Sequence, residues 1–275
     1  MNNKIILLGV SLIISAGFTV QAQLGRPATV TPDSAMHKIF GTNLNFSADL
    51  EVQIKMPQQE DEMTMVGKIY FAGGDSRTEM DMTKMKGSKM PPHATDQMKA
   101  MGMDKMISIS IPDKKTVYMI YPGLDSYAML TVPNAPSATN DTKLEKTDLG
   151  KETLDGHSCT KTKYKVVEPG TGENVTLIAW TTSDLKNYPI KIEIDSSEAA
   201  QEQKAPASTT LHFTNINTDT PQASLFEPPL GYRVYTNVQA MMQTEMIRKM
   251  GGGNGMPPNH PGMPANHPAV PADHP

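Results

Sequence analysis

The chain has 275 residues, with 25 Lys and Arg against 29 Asp and Glu, a formal net charge of −4. That mild acidic balance, without a Lys/Arg cluster, excludes the basic footprint of a nucleic-acid-binding protein. One cysteine excludes an internal disulfide, so stability has to come from a hydrophobic core.

Residues 1–22 read as a secretory signal. Lys4 supplies the positive start, an apolar run extends from Ile5 to Val20, and Val20-Gln21-Ala22 forms an A-x-A-like cleavage site. The run is shorter than the roughly 20 residues of a bilayer span, and no cysteine follows it to carry a lipid. The reading is a cleaved leader and a periplasmic mature protein starting near Gln23. Lys4 is the only charged residue of the leader, so the net charge becomes −5. About 250 residues remain, enough for one large β domain or two small ones.

Residues 23–31 read as a linker, and Pro32, Asp33 and Gly41 bracket a short helix over 33–40. The first strong strand is 46–56. There Phe46, Ala48, Leu50, Val52, Ile54 and Met56 alternate with Ser47, Asp49, Glu51, Gln53 and Lys55. Its antiparallel partner is 63–71, ended by the turn Gly73-Gly74-Asp75, and 76–82 follows. Gly87, Pro91 and Pro92 make 84–103 a loop, with one or two helical turns over 95–103. Strands 105–111, 116–121 and 126–132 are separated by Pro112-Asp113-Lys114-Lys115 and Pro122-Gly123-Leu124-Asp125. Beyond a polar loop, strands are expected at 143–151, 159–168, 173–181, 189–195 and 209–217. Ten or so short strands with few helices point to a mainly β fold, one large antiparallel sheet or open barrel.

A domain over 32–236 is followed by a helix over 237–250, with Met242, Met246 and Met250 at helical spacing. The Pro/His-rich remainder, 251–275, repeats Met-Pro-Pro-Asn-His-Pro, Met-Pro-Ala-Asn-His-Pro and Val-Pro-Ala-Asp-His-Pro, a composition that cannot form a core.

Three blocks carry a family resemblance. The first is Gly150-x-Glu-Thr-Leu-Asp-Gly-His-x-Cys-Thr-Lys-x-x-Tyr-x-Val166. The second is Ile178-Ala-Trp180 with Ser183-Asp-Leu185 and Tyr188-Pro-Ile190. The third is Phe213-Thr-Asn-Ile216 followed by Leu225-Phe-Glu-Pro-Pro-Leu-Gly-Tyr232. The chain resembles, over roughly residues 44–235, an exported bacterial family of unknown function similar to the outer-membrane lipoprotein carrier (LolA/LolB-like) superfamily. The resemblance implies a strongly curved antiparallel sheet, a half barrel, with short helices over its concave face, where the carriers hold lipoprotein acyl chains. It transfers no individual ligand residue, because that lining is distributed.

Methionine is the compositional anomaly: eleven of 21 fall between Met56 and Met106. Flexible thioether side chains suit an adaptable apolar lining. The expected ligand-binding residues are Met63, Met65, Met80, Met82, Met119 and Met129, and the expected partner is a lipid or lipoprotein, with peripheral contact to the cell envelope. The alternative is soft-donor copper binding, since M-x-M on a strand places both sulfurs on one face. Its ligands would be Met80, Met82, Met101 and Met103, helped by the tail histidines His260, His267 and His274. His157 and Cys159 share a strand face and form a weaker candidate pair. The turn signal Asp155-Gly156 makes this segment a hairpin corner, with Cys159 buried on the inner face of the sheet. No catalytic motif is found, so a non-enzymatic binding protein without a cofactor is expected.

Overall fold

The computed structural model describes residues 36, 39–40, 44–55, 62–87, 93–131, 143–167, 174–195 and 208–250. The expected leader, linker and Pro/His-rich tail lie outside these residues. Of the helix expected over 33–40, Met36, Ile39 and Phe40 are described, and all three are helical.

The alternation read over 46–56 becomes a strand because it presents one apolar face to bury. β1 (Phe46–Lys55) buries Phe46, Ala48, Leu50, Val52 and Ile54 and leaves the intervening polar side chains half-buried. β2 (Glu62–Ala72) pairs with it along ten positions and returns through Gly73 and Gly74 into β3 (Asp75–Lys86). Both turn glycines have positive φ, the geometry of a tight hairpin matched to strand twist. β4 (Lys105–Ile111), β5 (Thr116–Tyr121) and β6 (Ser126–Thr131) continue the meander. β7 (Lys143–Leu154), β8 (His157–Val167), β9 (Asn174–Thr182) and β10 (Tyr188–Asp195) form a second one. β11 (Ser208–Asn217) lies between β1 and β10, and β12 (Arg233–Tyr235) adds in parallel to β6.

The result is one open, curled sheet of twelve strands in the order β12-β6-β5-β4-β3-β2-β1-β11-β10-β9-β8-β7. Besides the helical residues Met36, Ile39 and Phe40, two helices are described in full, α1 (Ala94–Met101) and α2 (Val238–Met250). The mainly β, strongly curved antiparallel architecture is the one expected. β12 was not foreseen, because three residues carry no readable period. No helix among the described residues is long and apolar enough to cross a membrane.

The main core lies on the face that the helices cover. Phe46 is its hub: its ring stacks on Phe71 of β2 at 5.1 Å, tilts against Tyr188 of β10 at 5.0 Å and meets Phe213 of β11 edge-on at 6.2 Å. One side chain thus ties the two meanders together. Gly102 ends α1 in the left-handed conformation and packs on the turn at Gly123. A Cβ on either would meet the other's carbonyl oxygen, at 2.3 Å and 2.6 Å, so this contact seats α1 against the β5–β6 turn only with glycine at both positions.

Phe46→Ala is expected to cost about 3–5 kcal/mol in urea-induced unfolding. Met129→Ala, at an exposed position, should stay within about 0.5 kcal/mol.

Candidate functional site

Register decides which side chains share the helix-covered face. Val52 stands opposite Met65 and Ile54 opposite Met63. Leu50, Gly67, Met80 and Met106 form a line across β1 to β4. Ser108 faces Met119, which in turn faces Ala128 of β6. Met63, Met65, Met80, Met82 and Met119 therefore lie on one face, packed into two adjoining apolar clusters.

Met129 does not join them. It pairs with Tyr118, one position out of phase with Met119, and stands on the opposite face with 43% of its surface exposed. On a strand, one step in parity exchanges faces.

The cover is methionine-rich as well. Met36 with Ile39 and Phe40 packs on the first cluster. Met241 and Met242 of α2 are buried in the second, with Met246 beside them, while Met98 of α1 touches both. Counting sheet and cover together, fourteen methionines build the two clusters: 36, 63, 65, 80, 82, 85, 98, 101, 103, 106, 119, 241, 242 and 246. Met98 and Met106 belong to both, which makes the interior continuous.

Of the residues in the copper alternative, Met80 and Met82 fall in the first cluster and Met101 and Met103 in the second, each against apolar side chains. His260, His267 and His274 lie outside the described residues. Among the described residues no group of three or more His, Cys, Asp or Glu side chains could hold a metal ion.

A polar latch fastens α2, and nothing in the sequence reading had pointed to it. Glu245 lies on the same side of α2 as Met241 and Met242 and is completely buried. Its carboxylate accepts hydrogen bonds from Ser126 Oγ (2.9 Å), Tyr235 OH (2.7 Å), Arg233 Nε (2.6 Å) and Nη2 (2.9 Å), and Arg248 Nε (2.9 Å). Arg233 also donates to the carbonyl of Leu124. The three residues of β12 thus exist to hold Arg233 and Tyr235 beside β6, facing the helix. Burial alone pushes the Glu245 carboxyl up, but the hydrogen bonds from Arg233, Tyr235 and Ser126 and the charge of Arg233 outweigh it and hold the group at about 2. The readable signal was a single glutamate three and four residues after two apolar methionines, on the buried side of an otherwise ordinary helix.

Cys159 is buried, but not on the inner face as expected. β8 alternates, and its inward residues are Thr162 and Tyr164, opposite Ala179 and Leu177 of the main core. Cys159 faces the other way. It forms a separate small cluster with Trp180 and Ile190, closed by Leu154, Ile178, Leu185 and Ile216. Burial raises its thiol pKa, and Sγ donates to the His157 carbonyl at 3.6 Å. The His157 ring turns away to Asp184, with Nδ1 3.0 Å from Oδ2, so the two residues form no nucleophilic pair. The hairpin itself is as expected: Asp155 and Gly156 both have positive φ. Trp180 Nε1 donates to Glu152 at 3.0 Å, and Lys161 and Lys191 lie within 5 Å of its ring centre, at 4.6 and 4.7 Å. A depression of about 390 Å³ on this outer face is lined by Lys163, Ile178, Glu193 and Thr210, among others. Its mixed charges do not make an apolar site.

The sequence model of a protein family described as Domain of unknown function (DUF4412) matches residues 46–205. No curated protein matches the sequence significantly. Among solved structures, a LolA superfamily protein from Nitrosomonas europaea is similar at 11% identity and a TM-score of 0.32, covering 73% of this chain and 99% of that one. A putative outer membrane lipoprotein-sorting protein domain from Vibrio parahaemolyticus is 14% identical at 0.31, covering 66% and 89%. The Mycobacterium tuberculosis lipoprotein LppX is 10% identical at 0.35, covering 68% and 92%. Scores of this size have no bearing on function. The chain belongs to the DUF4412 family.

Replacing Glu245 with Gln should cost about 2 kcal/mol, less than the roughly 3–5 of a fully buried pair because both arginines are a third or more exposed. Glu245 has a depressed folded pKa, so its contribution is present above the unfolded value near 4.5 and is lost as pH falls toward about 2. Thermal melts of wild type and Glu245→Gln from pH 7 to pH 2 should show a gap that is constant down to about 4.5 and then closes.

Proposed function

We propose that this member of the DUF4412 family is an exported, periplasmic, non-enzymatic carrier that holds an apolar chain between the sheet and its helical cover. The observation that carries the reading is the set of fourteen methionines, contributed by both the sheet and the cover, that stand among the aliphatic and aromatic side chains of one continuous interior. A core meant only for stability is best filled with branched and aromatic side chains, whose few rotamers fix one packing. Methionine has three rotatable bonds and a polarisable sulfur, so a wall of it can reshape around a guest at little cost. The same residues that fill the interior in the free protein then become the lining in the loaded one.

The cover is built to match. α2 rests on Met241 and Met242 and is fastened by Glu245, the one buried carboxylate among the described residues. Releasing it exposes apolar surface, and an incoming chain offsets that exposure by about 0.8 kcal/mol for each buried CH₂. Residues 1–22 supply the export, and the sequence resemblance over residues 44–235 implies the same class of ligand.

The test is a series of monoacylglycerols with 10-, 12- and 14-carbon chains displacing a fluorescent apolar dye from the purified full chain. Affinity should rise up to fourfold for each added CH₂. Flat affinity along the series, or no displacement at any length, would contradict the proposal. Replacing Met65, Met80 and Met119 together with Ile should weaken binding while preserving the fold, because stiff side chains cannot open the same space.

A further inference from the structure

The inner face is not apolar throughout. Ser76 and Thr78 of β3 stand directly opposite Ser110 and Ser108 of β4. Cross-strand neighbours of this kind have Cβ atoms about 4.5–5.5 Å apart, so the four hydroxyls form one patch. Register places them inward: Ser76 is opposite Phe71 and Thr78 opposite Ile69, both members of the main core. On the other side Ser108 faces Met119 and Ser110 faces Val117. The patch is therefore enclosed by apolar neighbours in the register, and none of them is charged.

Ser76 is the unusual member. It is 1% exposed, and among the described residues its Oγ meets no hydrogen-bond partner. Leaving a buried hydroxyl unpaired costs free energy, and an alanine would fill the same space without that cost. A donor held in this state on the floor of an apolar interior is suited to an acceptor that arrives with a guest. Ser108 and Ser110 are only half-buried, so the patch reaches from the aromatic hub toward the open side of the face.

We propose that Ser76, Thr78, Ser108 and Ser110 bind the carbonyl oxygen of an ester-linked acyl chain whose tail lies over the methionines. The inference rests on the reading of the inner face as an apolar-ligand site and narrows the ligand class within it. Four neutral hydroxyls, with no charged residue among their neighbours in the register, suit an ester carbonyl and not an ionised fatty acid, whose charge would be buried without a partner.

The experiment compares 1-lauroylglycerol with 1-dodecylglycerol, an ester and an ether of matched chain length, as competitors for the same apolar dye. Wild type should bind the ester about fivefold more tightly, the scale of one net hydrogen bond. The variant Ser76→Ala/Ser110→Ala should lose that preference and keep its affinity for the ether. Ser76→Ala alone should leave the melting temperature of the free protein unchanged or raise it, which separates a ligand role from a structural one. Equal binding of ester and ether by wild type overturns the ester inference and leaves the apolar-ligand reading in place. A marked fall in melting temperature for Ser76→Ala assigns the hydroxyl a structural partner and also overturns it. Binding of neither competitor overturns both. A diacylglyceryl-cysteine peptide run beside a diacylglycerol of the same chains identifies the source of the ester: tighter binding of the peptide assigns a lipoprotein anchor, tighter binding of the glycerolipid a free lipid.

Discussion

Strand β11 enters the sheet between β1 and β10, and it is the only strand that joins them. On one side of it lies a meander of sequential hairpins from β1 to β6, and on the other a second meander from β7 to β10. Leu211 sits opposite Val52 in one direction and Ile192 in the other, and Phe213 reaches Phe46 across the same seam. The pairing of β1 with β11 closes a loop of about 160 residues, a non-local contact whose closure entropy has to be met before it stabilises anything. The family match ends at residue 205, before β11 begins, so the strand that unites the sheet follows the matched region, as do β12 and α2.

From that seam follow two faces with different physical characters. The outer face carries two compact apolar clusters, one around Ile109, Ile120 and Phe226 and one around Trp180, Ile190 and Cys159. Each is built from branched or aromatic side chains, apart from the single thiol. The inner face has branched and aromatic residues too, around Phe46, but its clusters alone add methionines, from both the sheet and the cover. The contrast lies within one sheet, in one chain, which argues that the methionines reflect a demand of that face and not a general bias of composition. The attachment of α2 fits the same pattern. A helix held only by apolar contacts would be hard to release without exposing everything at once. One held by a charged anchor at its middle can be tuned by what competes for Ser126, Arg233 and Tyr235.

Much of this was legible in the sequence, and the misses have physical reasons. β4 and β5 have the expected bounds, because the Pro-led turns at Pro112 and Pro122 end each of them. The hairpin at Asp155-Gly156 followed from residues that tolerate positive φ. Met129 was misplaced because the spacing of Met119 and Met129 does not reveal register across a turn, and Ala128, not Met129, meets Met119. Cys159 was assigned to the inner face because it was expected to be buried, yet the outer face has a core of its own. The latch was invisible for a deeper reason. Glu245, Arg233 and Ser126 are unremarkable one at a time, and only the parallel addition of β12 to β6 brings them together.

The central claim is that α2 is a cover that opens while the sheet stays folded, giving a guest access to the methionine interior. Hydrogen exchange of the full chain, followed by mass spectrometry, tests it most directly. Backbone amides of 238–250 should exchange orders of magnitude faster than those of β1, β2 and β11, and saturating 1-lauroylglycerol should slow exchange in 238–250 selectively. Exchange in α2 as slow as in β1, unchanged by the lipid, would contradict the account.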